Sequence, residues 1–268
     1  MFEFDPKLQY MMPAHFGFAW SEKSSPLYLD TTTISVGYLT DRAKLEKILP
    51  EPFEIRGDPT LAVYYTMNRE VEWMAGGGYN LLGVDALVHF NGEEEQVDGS
   101  YCLVLWENDT DPILAGRELL GVPKIFADIE DHKVIRGEWR TAASVRGQTI
   151  VDLAVRDLEP VNEAGLEQMR NTAKASNWLG WRYVPNIGAP GPALSHATCI
   201  PAGGGPKQAW AGTGEISWHP TTWEKNPTQV HIVNGLADLP ILEVRWATVM
   251  KGSSTLSDAD KKPLRALR

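Results

Sequence analysis

Apolar and polar residues alternate with a period of two along much of this chain. The stretch 27–39 is rich in Thr, Ile, Val and Tyr, and 61–67 reads Leu-Ala-Val-Tyr-Tyr-Thr-Met. The same pattern recurs at 84–90, 101–106, 134–139, 149–155, 178–184, 214–218, 229–233 and 241–249. Many of these segments are β-branched or aromatic and are bounded by Gly, Pro, Asn or Asp, which marks strands. About ten short strands separated by turn signals predict a mainly β fold, a large antiparallel sheet system closed as a barrel or packed as a sandwich.

Helical patterning is sparse and peripheral. The segment 41–49 puts Leu45, Ile48 and Leu49 on one face, with Thr40 as its N-cap and Pro50 as its stop. A polar helix is predicted over 162–174. A short one is predicted over 113–120, ended by Gly121 and Pro123. The Gly- and Pro-rich stretch 188–205 reads as a long loop, and the polar tail after Lys251 as frayed or helical. There is no internal repeat. The βαβ alternation of a nucleotide-binding sheet is missing. Gly76-Gly77-Gly78 and Gly203-Gly204-Gly205 lack the spacing of phosphate-binding loops, so these glycines are assigned to loops.

Composition narrows the function. The 268 residues carry a formal charge of −10, with 43% apolar and 22% charged residues. One domain, 1–268, is expected. The acidic balance argues against nucleic acid, which needs a basic face, but leaves open a small anionic substrate in a locally positive pocket. No apolar stretch reaches the roughly 20 residues that span a bilayer, and the N-terminus has no signal-peptide pattern. The expected location is cytoplasmic and the expected partners exclude membranes. Cys102 and Cys199 read as buried reduced thiols, and Asn108-Asp109-Thr110 as a chance sequon. The six histidines show no metal-ligand spacing, and there is no Gly-x-Ser-x-Gly elbow. His89 is open to two readings, facing a cavity or held as a structural histidine.

The most unusual local sequence is Gly116-Arg117-Glu118-Leu119-Leu120-Gly121-Val122-Pro123-Lys124-Ile125-Phe126. Lys124 stands among apolar residues. Burial disfavours an ammonium, and a neutral amine can attack a ketone to form a Schiff base that serves as an electron sink. A lysine snorkelling from a strand start explains the same letters.

The segment resembles the acetoacetate decarboxylase family, whose Schiff-base lysine lies in a Gly-Arg-Glu…Pro-Lys stretch; Lys124 falls on that lysine. Further blocks agree in family order: Tyr38-Leu39-Thr40-Asp41 with Leu45, Pro50-Glu51-Pro52-Phe53-Glu54-Ile55, Phe90-Asn91-Gly92, and 223–240 with Asp238-Leu239-Pro240. The resemblance implies a cone-shaped antiparallel β-barrel, a homo-oligomer, and an interior site without metal or organic cofactor. It implies Lys124 as the catalytic residue, with Arg117 and Glu118 from the motif as substrate-binding residues. Arg117 can anchor a carboxylate, or the two can be a structural pair that shapes the turn.

Departures from the family are as informative. The reactive lysine of the true decarboxylase is followed by a second lysine, a neighbouring cation that activates it. Here Ile125 follows, and desolvation would have to act unaided. The family's substrate-binding arginine falls on Thr31, and its two pocket glutamates fall near Tyr65 and Leu81. Tyr65, Tyr79 and Tyr101 offer hydroxyls instead, or pack as barrel-wall aromatics. Glu70, Glu72 and Asp85 are candidate replacement carboxylates. The leading expectation is a cofactor-independent lyase that decarboxylates a small β-keto acid through an imine on Lys124. Two alternatives stand beside it: an aldolase-dehydratase that condenses pyruvate with an aldehyde through the same lysine, and a non-catalytic small-ligand barrel.

Overall fold

The computed structural model describes residues 3–17, 19, 25–200, 203–256, 265, 266 and 268. In chain order the strands are β1 (Leu27–Leu39), β2 (Phe53–Glu54), β3 (Thr60–Val71), β4 (Gly77–Asn91), β5 (Gln96–Glu107), β6 (Lys124–Phe126), β7 (Lys133–Ile135), β8 (Glu138–Val145), β9 (Gln148–Pro160), β10 (Trp178–Pro185), β11 (Pro192–Ile200), β12 (Gly203–Trp218), β13 (Glu243–Thr255) and β14 (Arg265–Ala266). The helices are α1 (Arg42–Glu46), α2 (Thr110–Ala115), α3 (Glu163–Ala175) and α4 (Val230–Ala237). Among the described residues no helix is long and apolar enough to cross a membrane.

All strands belong to one sheet, ordered β14-β11-β10-β5-β4-β3-β1-β13-β12-β9-β8-β7, with β2 beside β4 and β6 beside β5. The mainly β expectation holds. Closure and direction need correcting. No pairing among the described residues joins β7 to β14, so the sheet is open. It is also mixed, since β10 and β6 each run parallel to β5.

Period-two alternation sorts the central strands into two faces. Ile34 and Val36 of β1, Val63 and Tyr65 of β3, Leu82 and Val84 of β4, and Val104 and Trp106 of β5 enter the main apolar cluster. Apart from Leu103, which also packs against the main cluster, their neighbours in sequence point to the opposite face. There a smaller cluster of Cys102, Leu105, Val122 and Ile200 packs with Tyr64, Leu81 and Trp178. The candidate site lies on this second face.

Five local expectations change. The segment 134–139 is a hairpin, because Arg136 and Gly137 take φ of 52° and 82° and turn the chain between β7 and β8. The segment 229–233 opens α4, whose buried Val233 and Leu236 recur at helical spacing. Most of 188–205 is strand: β11 pairs with β10, and β12 begins at Gly203. After Lys251 the chain continues as β13 to Thr255; residues 257–264 of the tail lie outside the described residues. The cap of α1 is Asp41, which accepts from Lys44 N at 2.8 Å, one residue after the expected Thr40.

Candidate active site

Lys124 opens β6, and its backbone position follows from the ladder. Leu105, Trp106 and Glu107 of β5 pair with Lys124, Ile125 and Phe126. Alternation then turns Lys124 and Leu105 to the second face while Ile125 packs against the main cluster. Ile125, where the sequence resemblance expects a second lysine, is therefore on the far face from the Lys124 amine. The approach to β6 is a wide helical turn over Gly116–Leu120, ended by Gly121 at φ 73°. Gly116 touches the lysine directly: a Cβ there would lie 2.3 Å from Lys124 Cδ and 2.4 Å from Cε. Arg117 Nη1 donates to the Lys124 carbonyl at 3.0 Å and so holds the strand start.

The lysine side chain is 6% exposed. Its Nζ donates to the Pro112 carbonyl of α2 at 3.1 Å and sits 2.8 Å from Glu107 Oε1. Glu107 is fully buried. Neither of its carboxylate oxygens has a hydrogen-bond donor beyond this ion contact among the described residues. Burial pushes its pKa up, opposed by the Lys124 charge. The expectation that dryness alone prepares the amine is corrected accordingly, because Lys124 is both dry and paired with an anion. Glu107 was not singled out from the sequence. The available signal was a carboxylate ending the apolar run Tyr101–Trp106, but its partner is supplied only by parallel pairing with β6.

Lys124 and Glu107 line a cavity of about 240 Å³ whose other walls are hydroxyl-rich, with Thr31, Thr33, Tyr64, Thr66 and Tyr79. Thr31 and Leu81, where the sequence resemblance puts the family's arginine and one of its glutamates, both line this wall. Among the described residues lining it, Lys124 is the single cation. Trp178, Gly203 and Ser254 also border a wider cleft of about 740 Å³ beside α3, which gives the small cavity an approach. No three His, Cys, Asp or Glu side chains among the described residues come together as metal ligands.

Of the expected substrate-binding residues, only Tyr79 lines the cavity beside Lys124. Tyr79 is buried, and its hydroxyl lies 3.5 Å from that of Tyr28, which also lines the cavity. Tyr65 points into the opposite face, where its hydroxyl accepts from His132 N at 3.1 Å; the neighbouring Tyr64 and Thr66 take the cavity. Tyr101 packs on Phe53 with ring centroids 4.6 Å apart. The reason is a bulge: Val84 pairs with Val104 and Asp85 with Cys102, so Leu103 is an extra residue that inverts the facing of everything before it on β5. Arg117 is exposed and bonded to backbone. Glu118 accepts from Met12 N at 3.1 Å, and neither lines the cavity. Glu70 and Glu72 are exposed. Asp85 is buried next to the cavity wall, bonded to Tyr64. His89 is buried against Asp98 at 2.7 Å, the structural alternative.

Comparison with known proteins speaks to the family and the fold. The acetoacetate decarboxylase family model matches residues 11–262. The acetoacetate decarboxylase of Burkholderia vietnamiensis is 26% identical over 237 residues, covering 85% of each chain. The acetoacetate decarboxylase structure from Legionella pneumophila superposes with a TM-score of 0.75 at 18% identity, covering 94% of this chain and 92% of that one. The enduracididine biosynthesis enzyme MppR complexed with pyruvate gives 0.71 at 16% identity, covering 97% and 98%. Identities this low in the solved structures speak to the fold. The family match extends through the Lys124 turn, the β5–β6 ladder and the closing strands, and on that ground the chain belongs to the acetoacetate decarboxylase family.

Proposed function

We propose that the protein is a cofactor-independent lyase that decarboxylates a small β-keto acid through an imine on Lys124. One observation carries this reading. The Lys124 amine is buried at a cavity wall, 2.8 Å from a Glu107 carboxylate with no other donor among the described residues. The cavity is smaller than the ~300–1,000 Å³ of sites for drug-sized ligands, which suits a substrate of a few carbons.

The reaction starts from the ion pair. Nζ passes a proton to Glu107, whose burial favours the neutral acid. The amine lone pair bonds to the ketone carbon as the carbonyl π bond breaks, and Glu107 protonates the resulting oxygen. Glu107 then takes a proton from nitrogen and returns it to the hydroxyl, which leaves as water to give the iminium. The bond to the carboxylate breaks, carbon dioxide leaves, and the electron pair moves into the iminium to give an enamine. A solvent proton adds to the enamine carbon. Water then adds to the iminium with Glu107 as base, the ketone departs, and the ion pair is restored. The apolar parts of the wall, Leu81, Leu105 and Leu120, disfavour a localised carboxylate more than the dispersed charge of the transition state.

An aldol condensation is the second reading. It is favoured by the hydroxyl-lined wall and by the fold shared with MppR, which was also solved with the condensation product of pyruvate and imidazole 4-carboxaldehyde. The deciding experiment supplies acetoacetate alone, and pyruvate with an aldehyde, while borohydride traps adducts for mass spectrometry. Carbon dioxide release and a reduced adduct on Lys124, absent in Lys124→Ala, are expected. Condensation without decarboxylation transfers the assignment to the aldolase reading, and no adduct with either set leaves a passive binding protein.

A further inference from the structure

A substrate carboxylate in the Lys124 cavity meets no arginine and no second lysine among the described lining residues, so neutral donors must receive it. One of the lining hydroxyls is backed by a structure of its own. Tyr64 of β3 stands directly opposite Gly83 of β4. A Cβ at position 83 would lie 2.4 Å from the phenol Cζ and 2.5 Å from its Oη, so only glycine lets the ring lie across β4. Reaching over it, the Tyr64 hydroxyl meets Asp85 Oδ1 at 3.2 Å. Asp85 is 8% exposed, and no step of the proposed reaction uses it.

Burial pushes the Asp85 pKa up to about 7, against hydrogen bonds from Tyr64, Cys102 and Trp178. The titratable groups bonded to it are Tyr64 on β3 and Cys102 on β5, and Glu107 on β5 and Lys124 on β6 act on Cys102 behind it. Burial raises Tyr64 and Cys102 well above their ordinary values, so both stay neutral near pH 7, and Glu107 and Lys124 are engaged with each other. Once Asp85 is protonated, its proton needs an acceptor. Asp85 also borders the wider cleft; of the three side chains that bond it, an indole N–H only donates and a thiol accepts weakly, which leaves the Tyr64 oxygen. A Tyr64 hydroxyl that accepts from Asp85 is free to turn its own hydrogen into the cavity. With Asp85 ionised, that hydrogen returns to Asp85 and Tyr64 offers the cavity only lone pairs.

We propose that Asp85 is a positioning residue whose protonated form makes Tyr64 the hydrogen-bond donor to a bound carboxylate. This deepens the keto-acid reading and rests on it only in taking the ligand to be a carboxylate. The test uses butyrate, an unreactive monocarboxylate, with dissociation constants from calorimetry at pH 6 and pH 8. Affinity scales with the competent fraction, so the wild type weakens by about tenfold over that interval. Asp85→Asn, whose amide donates to Tyr64 at every pH, binds as tightly at pH 8 as at pH 6. Tyr64→Phe and Gly83→Ala bind weakly at both. A tenfold pH effect surviving in Asp85→Asn, full affinity in Tyr64→Phe, or no butyrate binding to the wild type overturns the proposal. Borohydride trapping of neutral acetone on the same proteins separates the two readings. An adduct without the Asp85 effect leaves the imine chemistry standing alone. The Asp85 effect without an adduct leaves the carboxylate site alone.

Discussion

Glu107 and Lys124 give up hydration together, and each makes burial of the other tolerable. Removing one partner strands a charge in a dry wall, which typically costs about 3–5 kcal/mol, whereas replacing both by apolar residues of similar volume is often neutral. Urea unfolding should therefore show Glu107→Gln or Lys124→Met strongly destabilised, and the double variant Lys124→Met/Glu107→Leu recovering most of the loss. Lys124→Arg should keep the fold and lose the borohydride adduct, since a guanidinium stays charged and cannot form the imine; circular dichroism and mass spectrometry check both halves. Asp85 carries a stability prediction with a definite sign. Its folded pKa is about 7 against an ordinary 3.8. The unfolded chain ionises first as pH rises through 4, so stability falls between pH 4 and pH 7 and levels above that. Asp85→Asn should raise the melting temperature at pH 8 and change it little at pH 4.

At the scale of elements, the three-residue strand β6 does what a longer segment could not. Its parallel pairing with the end of β5 sets Lys124 beside Leu105, and alternation then brings Glu107 onto the same face. The wide turn before it depends on Gly116 lying against the lysine stem. Gly116→Ala forces that side chain aside; the trapping rate on Lys124 should fall at least tenfold, about 1.4 kcal/mol in the barrier, while circular dichroism stays unchanged. The bulge at Leu103 has the same kind of consequence, since it sends Tyr101 into the main cluster and keeps Cys102, Leu105 and Glu107 on the site face.

At the scale of the whole molecule, the sheet is covered on both faces, by the main cluster on one and by the smaller cluster with the cavity on the other. The chain's charge of −10 surrounds a site whose own ion pair is neutral. The proposed substrate, an anionic keto acid, would approach against that field, and salt screens it, with a Debye length of ~30 Å at 0.01 M and ~8 Å at 0.15 M. For acetoacetate turnover, kcat/KM should rise by about twofold over that range of ionic strength, the reverse of steered association; stopped-flow rates measure it.

What the amino-acid order determined by itself was local. Period-two runs marked the β class, Asn162 marked the start of α3, and the Gly116–Lys124 motif with its apolar flank marked the amine. These signals rest on neighbours in the chain, where propensity, capping and motif act. The facing of each residue was decided elsewhere. With both faces of a sheet covered, alternation cannot tell Tyr64 from Tyr65, and one extra residue at position 103 inverts the assignment of Tyr101. The partner of Lys124 is seventeen residues away in sequence and becomes its neighbour only through the β5–β6 ladder. Tyr64 reaches Asp85 only because Gly83 has no side chain. Long-range pairing brought these groups together, and no property of the single residues encodes it.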